Sequence, residues 1–250
     1  MPSILYENDI EMTEVKVNSN LSPFIMAITP LVFDGFPVTC CRCEFNPSFY
    51  SDPLAIEVLG EDLFNKLSGS VHNRKAEFLA GRALAASMLS ALSVGSVDVD
   101  MGIDRAPVWP KYVKGSISHA DQIAICAICS DGIAKRIGID IEPLINEVSD
   151  ELIETIVSKA EEQLANDHGI VKLAAFSLIF SAKESLFKAL YPEVNYYFDF
   201  NAATITHIDT DQRSFEIKLN IDLSSILKKD MVFTGCYQLM SAYVITLIVD

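Results

Sequence analysis

The run Gly138-Ile139-Asp140-Ile141-Glu142-Pro143 constrains this chain more than any other stretch. Two carboxylates stand two residues apart inside an apolar segment. On a β-strand alternate side chains point to opposite faces, so Ile139 and Ile141 enter a core while Asp140 and Glu142 emerge together on the other side. Their α-carbons then lie about 6.5 Å apart, from a rise of about 3.3 Å per residue. Two acids so placed repel each other unless a cation or a shared proton sits between them. A hard, oxygen-preferring cation such as Mg²⁺ is one physical solution. Solvated acids on a strand edge are the plainer alternative.

Three further segments bear on that choice. In Phe180-Ser-Ala-Lys183-Glu184-Ser-Leu-Phe-Lys188-Ala-Leu190, Glu184 and Lys188 are one helical turn apart and share a face. Alone they read equally well as a surface ion pair of well under about 1 kcal/mol. In Arg74-Lys-Ala-Glu-Phe-Leu-Ala-Gly-Arg82 the two arginines fall at i and i+8 of a helix with Phe78 between them. Arginine pairs well with phosphate oxygens, although a solvated helix face is the ordinary reading of such residues. Gly115-Ser-Ile-Ser118-His119 offers small residues, a hydroxyl and an imidazole, a set suited to a phosphate.

The pattern along the chain is mixed α and β. Residues 1–20 are polar and acidic and read as a loose arm. Strands are expected over 24–33, interrupted by Pro30, over 38–45 and over 97–101, with a turn-rich link at 47–52. A helix is expected over 71–92. Two prolines and a glycine make 102–111 a loop. A strand over 123–129, the turn Ser130-Asp131-Gly132 and the opening stretch read as two strands joined by a tight connection. Helices are expected over 150–165 and 171–190, the second stopped by Pro192. Four short strands follow, at 203–208, 214–219, 233–240 and 243–249. Antiparallel hairpins fit this order better than a parallel wound sheet.

Composition narrows the functional classes. With 250 residues, half of them apolar, the chain can bury one large core or two small ones. A formal charge of −15 opposes non-specific nucleic-acid binding and a general anionic-membrane footprint. No apolar run is long enough to span a bilayer, and the first residues lack the basic-then-apolar pattern of a secretory signal, so a cytoplasmic protein is expected. Cys126 and Cys129 fall three apart on a strand and so face opposite sides. Cys40-Cys41-x-Cys43 has no second half with zinc spacing. Buried free thiols are the expectation for all six cysteines, Cys236 included.

Read together and in order, Arg74–Arg82, Arg105-Ala-Pro107-Val-Trp-Pro110, Gly115–His119, Gly138–Glu142 and Ser181–Lys188 resemble the 4′-phosphopantetheinyl transferases, nearest to the enterobactin-synthase component D type. The resemblance covers roughly residues 74–190. It implies an α+β pseudo-dimer of two similar α/β lobes, here residues 1–130 and 131–250, with the active site in the cleft between them. It implies transfer of the phosphopantetheine arm of coenzyme A to a serine of an apo acyl or peptidyl carrier protein. Adenosine 3′,5′-bisphosphate is the other product, in peptide, siderophore, polyketide or fatty-acid synthesis. Mg²⁺ would be held by Asp140, Glu142 and Glu184. Glu184, with Glu142 as runner-up, would take the serine proton, and Lys188 would serve the leaving side. Arg74 and Arg82 would grip the 3′-phosphate. Arg105 and Pro107 would lie beside the adenine, and Ser118, His119 and Lys183 would contact phosphate or the adenosine end. A monomer is implied. One departure is Met101, where related sequences often carry a basic residue; one phosphate contact is then either missing or supplied by Lys111 or Lys114. The alternatives are another Mg²⁺-dependent phosphoryl or nucleotidyl transferase, and a coenzyme A-binding or carrier-docking module without catalysis.

Overall fold

The computed structural model describes residues 15, 19–92, 97–102 and 104–250. The expected acidic arm therefore lies almost wholly outside the described residues. Two antiparallel sheets carry the architecture. The first runs in the order β1 (Ile25–Leu31), β2 (Thr39–Phe45), β6 (Ile123–Ser130), β5 (Val113–Ala120). The second runs β7 (Ile137–Pro143), β11 (Tyr243–Val249), β10 (Val232–Leu239), β9 (Ser214–Leu219), β8 (Ala203–Asp209). A two-residue ladder, β3 (Asp100–Met101) with β4 (Pro107–Val108), forms a separate hairpin.

One long helix covers each sheet. On the first, α3 (His72–Ala91) buries Leu79, Ala80, Ala83, Leu84, Met88 and Leu89 against Cys41, Cys43, Phe45, Ala124, Cys126 and Ile128. On the second, α6 (Lys172–Val194) buries Leu178, Ile179, Ala182, Leu186 and Leu190 against Ile205, Phe215, Ile217, Phe233 and Val244. A third cluster joins the sheets and contains Ile123, Ile125, Cys129, Ile139, Ile141, Ile245 and Leu247. The unbroken apolar run of β6 follows from this arrangement. Its even-numbered residues face α3, its odd-numbered ones face the shared cluster, and both faces are buried. Cys126 and Cys129 accordingly point to opposite sides, and all six thiols are free and buried.

Four expectations change. The segment 123–143 is not a hairpin. β6 pairs with β2 and β5, whereas β7 pairs with β11, because the link through Gly132 (φ 105°) carries the chain from one sheet to the other. The single helix over 150–165 is two, α4 (Asp150–Ile156) and α5 (Lys159–Asp167). Val157 is extended between them, and Ser158 with Glu161 forms a capping box that starts α5 afresh. Pro192 does not stop α6, since the helix continues to Val194 and ends at Asn195 in the left-handed region (φ 56°). A proline this near the C-terminus leaves few later helical bonds to disturb, and buried Val194 holds the final turn. Pro30 lies inside β1, on the sheet edge where its missing N–H matters least. The sequence reading left 53–70 without structure, but α1 (Asp52–Leu59) and α2 (Glu61–Asn65) form there. The signal was present in the N-cap Ser51, followed by Asp52 and Pro53.

Candidate active site

The edge strands β5 and β7 meet where the two sheets adjoin. Ser116 Oγ accepts the Ile139 amide proton at 3.0 Å, and Ser118 Oγ donates to Asp140 Oδ1 at 2.8 Å. α6 lies over this seam because Gly138 lets it approach. A Cβ built on Gly138 would stand 1.9 Å from the Ser185 carbonyl oxygen. The helix therefore places Glu184 and Lys188 over the acids of β7. Ile139 and Ile141 enter the shared core while Asp140 faces α6. Asp140 is only 2% exposed, so it is no solvated edge acid.

Lys188 spends its three ammonium protons within this seam. They go to Asp140 Oδ1 at 2.6 Å, to Ser118 Oγ at 2.8 Å and to the Ile139 carbonyl at 3.4 Å. Burial pushes the Glu142 carboxyl up to about 8, and the charges of Asp140 and Glu184 add to the shift. Glu184 is raised too, first by burial, with Lys188 opposing the change. Three acids thus share one lysine, and burial with crowding disfavours the charged forms of Glu142 and Glu184. Asp140 Oδ2 is buried and receives no N–H or hydroxyl hydrogen bond, and the Glu142 carboxyl, when protonated, hydrogen-bonds Asp140. Among the described residues no three His, Cys, Asp or Glu side chains form a ready-made metal cage. Three crowded acids, two of raised pKa, fit either a shared proton or a hard cation held by carboxylates, with the remaining positions left to water or phosphate oxygens.

A second group lies on the first sheet and its helix. Arg74 Nη1 donates to Glu77 Oε2 at 3.1 Å and contacts His119 Nε2; His119 Nδ1 stands 3.5 Å from the same Glu77 oxygen. Burial, then the positive charges of Arg74 and Lys188, pushes the His119 imidazole down to about 4, so it is neutral near pH 7. An arginine donating to Nε2 leaves the imidazole proton on Nδ1, toward Glu77. Arg74 is exposed and free to turn to an anion. Glu77 was missed in the sequence, although it sits inside the Arg74–Arg82 motif at i+3 from Arg74.

The remaining candidates divide. Arg105 is exposed at the tip of the β3–β4 hairpin (φ 65°), and Pro107 pairs with Met101. Neighbouring Asp104 hydrogen-bonds the Tyr191 phenol, which ties this hairpin to α6 three residues beyond Lys188. Arg82 is not brought to Arg74. It is 7% exposed, donates to the Asp100 carbonyl at 3.2 Å and lies 4.6 Å from the Phe78 ring centre. Burial lowers its guanidinium to about 10. Lys183 also turns away. Its buried ammonium donates to the Ile156 carbonyl at 2.7 Å and to Glu161 Oε2 at 3.0 Å, and so fastens α6 to the α4–α5 junction. At rest, then, Arg82 and Lys183 are engaged with groups of the protein itself, away from the acids of the seam. Of the two substitutes expected for Met101, Lys111 lies over the Tyr112 ring and Lys114 pairs with Asp131 at 3.5 Å. The ammonium at that position belongs to Lys66, which donates to the Met101 carbonyl at 3.2 Å.

Two antiparallel sheets, each under one helix, with acids and a lysine at their seam, define the class that the comparisons specify. Residues 64–129 match the 4′-phosphopantetheinyl transferase N-terminal domain, and residues 136–247 match the 4′-phosphopantetheinyl transferase superfamily. Enterobactin synthase component D of Escherichia coli strain K12 is 35% identical over 162 residues, covering 64% of this chain and 74% of that protein. Its Salmonella typhimurium counterpart is 35% identical over 154 residues, 61% and 63% respectively. 4′-Phosphopantetheinyl transferase Npt of Nocardia iowensis is 30% identical over 157 residues, 63% and 68%. The match thus spans somewhat under two thirds of the Salmonella relative's length. The chain belongs to the 4′-phosphopantetheinyl transferase superfamily. No helix among the described residues is long and apolar enough to cross a membrane.

Proposed function

We propose that this chain transfers the 4′-phosphopantetheine arm of coenzyme A to a serine of an apo carrier protein or carrier domain. The observation that carries the reading is the seam itself. Asp140, Glu142, Glu184 and Lys188 meet beside Ser118, in a chain of this superfamily. The serine oxygen forms a bond to the pantetheine-side phosphorus of the pyrophosphate. The bond from that phosphorus to the bridging oxygen breaks, and adenosine 3′,5′-bisphosphate leaves with its electron pair. Glu184 takes the serine proton, with Glu142 the second candidate. Lys188 leaves its resting contacts with Asp140 and Ser118 to stabilise charge on the leaving side. Such transfer depends on positioning and electrostatics more than on covalent help from the protein.

Asp140, Glu142 and Glu184 would hold Mg²⁺, and the crowding that raises Glu142 and Glu184 supports that reading. Bound there, the ion supplies neutralisation of charge developing on the phosphoryl oxygens. Arg74, His119 and Ser118 would receive the phosphates of the adenosine end, with Arg105 and Pro107 beside the base. The two lobes divide near Ser130–Asp131, and coenzyme A lies between them as in a pseudo-dimer. The two family matches end at 129 and resume at 136, which supports that boundary.

The chain acts as a monomer in the cytoplasm, without nucleic-acid or membrane partners. Its carrier belongs to a siderophore or related peptide-synthetase pathway, in keeping with the names of its relatives. A formal charge of −15 disfavours encounter with a strongly acidic carrier. Tyr197, 75% exposed and stacked on Phe187 at 5.3 Å, offers an apolar contact near α6 instead. Its neighbours are committed elsewhere: Tyr196 donates to the Leu223 carbonyl, and Phe198 packs on the second core.

The test is incubation with coenzyme A, Mg²⁺ and a panel of apo peptide-synthetase, polyketide and fatty-acid carriers. Intact mass should rise by one phosphopantetheine on at least one carrier, with adenosine 3′,5′-bisphosphate released. No gain on any carrier rejects the proposal. Coenzyme A binding without turnover would favour a non-catalytic module.

A further inference from the structure

We infer that Thr246 is a positioning residue for the transfer: its buried hydroxyl, clasped by Ser181 and Ser185, sets α6 at the height that puts Glu184 and Lys188 over Asp140. The inference rests on the transferase reading above.

The register of the second sheet places Thr246 directly opposite Asp140 across the β7–β11 ladder. Directly paired residues of antiparallel strands present their side chains on the same face. Thr246 therefore points at α6 from the strand beside the one that carries the acid. Its Oγ1 lies 2.9 Å from Ser181 Oγ and 2.7 Å from Ser185 Oγ, and Ser185 Oγ also donates to the Thr246 carbonyl at 3.0 Å. Thr246, Ser181 and Ser185 are each fully buried. One arrangement of the protons satisfies all three hydroxyls. Ser181 donates to Thr246, Thr246 donates to Ser185, and Ser185 donates to the Thr246 carbonyl.

The helix face involved is a ladder of small residues. Ser177 donates to the Pro143 carbonyl at 2.9 Å, and Ser181 and Ser185 follow at four-residue steps. Glu184 and Lys188 flank the last rung. An apolar side chain in this ladder would let the helix settle by volume alone. A directional contact at 2.7–3.0 Å fixes both the separation and the rotation of α6 about its axis. The same rotation sets where Glu184 and Lys188 point.

The experiment compares wild type, Thr246→Val, Thr246→Ser and Ser185→Ala in steady-state transfer, with hydrogen exchange of the α6 amides as a readout that needs no turnover. Valine keeps the shape and removes the hydroxyl, whereas serine keeps the hydroxyl. Thr246→Val should lower kcat by about ten- to a hundredfold, as for a small displacement of reacting groups. The KM for coenzyme A should change much less than kcat, because the Arg74 and His119 contacts lie on other elements. Exchange at residues 184–188 should quicken. Thr246→Ser should restore kcat, and Ser185→Ala should reproduce the loss from the helix side. A Thr246→Val enzyme with wild-type kcat overturns the inference. So does a Thr246→Ser enzyme as slow as the valine variant, or unchanged exchange along α6. Should Thr246→Val fail to fold, Ser185→Ala with wild-type kcat overturns it by itself. Failure of the inference appears as an active wild type with equally active variants; failure of the transferase reading appears as an inactive wild type.

Discussion

The two helix-covered sheets solve the same packing problem with different chemistry. α3 rests on its sheet through alanines and leucines, with Ala76, Ala80 and Ala83 fully or almost fully buried. α6 adds the hydroxyls of Ser177, Ser181 and Ser185, which bond directly to the sheet beneath. The polar groups that each region offers to a ligand differ in the same sense. Arg74 is exposed where it contacts Glu77 and His119, whereas Asp140 is buried and held by Lys188 and Ser118 within 2.8 Å. A dispersion-packed helix tolerates small slides without losing much energy, and suits a site that grips a ligand by charge. A hydrogen-bonded helix holds its side chains to tenths of an ångström, and suits a site where atoms react.

The largest effect expected from this contrast is at Asp140. Asp140→Ala removes the acid that Lys188 and Ser118 both contact, which is also one of the three acids assigned to the cation. Transfer should fall by roughly a thousandfold or more, on the scale of losing a principal electrostatic group. The fold should survive with a lower melting temperature, because Lys188 and Ser118 lose the acceptor they share. Activity assays beside thermal unfolding check both halves. Full turnover in the variant would falsify the chemical role of the seam.

A smaller effect of a different kind is expected on the first sheet. Arg74→Ala should raise the KM for coenzyme A by about ten- to thirtyfold while kcat changes little, the size of one charged hydrogen bond. With 3′-dephospho-coenzyme A the variant and wild type should converge, since the group gripped is then missing. An equal Arg74 effect on both substrates would move that residue off the 3′-phosphate. A fall in kcat instead of a rise in KM would erase the contrast between the gripping region and the reacting one.

The readable and unreadable parts of the sequence divide along the same line. Strand alternation put Asp140 and Glu142 on one face, and helical spacing put Glu184 above Lys188, because both periods are local. Two strands with a short link were legible over 123–143, but not that they join different sheets, because local turn chemistry cannot say which sheet a strand joins. Arg82 and Lys183 carry the right charge inside the right motifs, yet each turns inward. Arg82 meets the Asp100 carbonyl and Lys183 meets Glu161, partners 18 and 22 residues away. Spacing within a motif cannot show that a distant carboxylate waits in the core. The Thr246 contacts lie more than 60 residues from the serines they serve and escape notice for the same reason.

The smallest effect is one of pH, and it belongs to the exposed region. His119 is held at about 4, below the ordinary histidine value of 6.5, by burial and by the cations beside it. Between those values the unfolded chain binds a proton at this residue and the folded chain does not. Stability from His119 is therefore complete above about pH 6.5 and declines as pH falls toward 4, by on the order of 1–3 kcal/mol. His119→Gln cannot take up that proton, so its stability should fall less steeply across the same window. Denaturant unfolding of both proteins at pH 7.5, 6, 5 and 4.5 measures the difference directly. Parallel curves would mean that His119 titrates normally, and that the Arg74–Glu77–His119 group leaves room for solvent as a surface cluster does. Diverging curves would show that even the looser of the two regions holds one neutral, preset acceptor beside its mobile arginine.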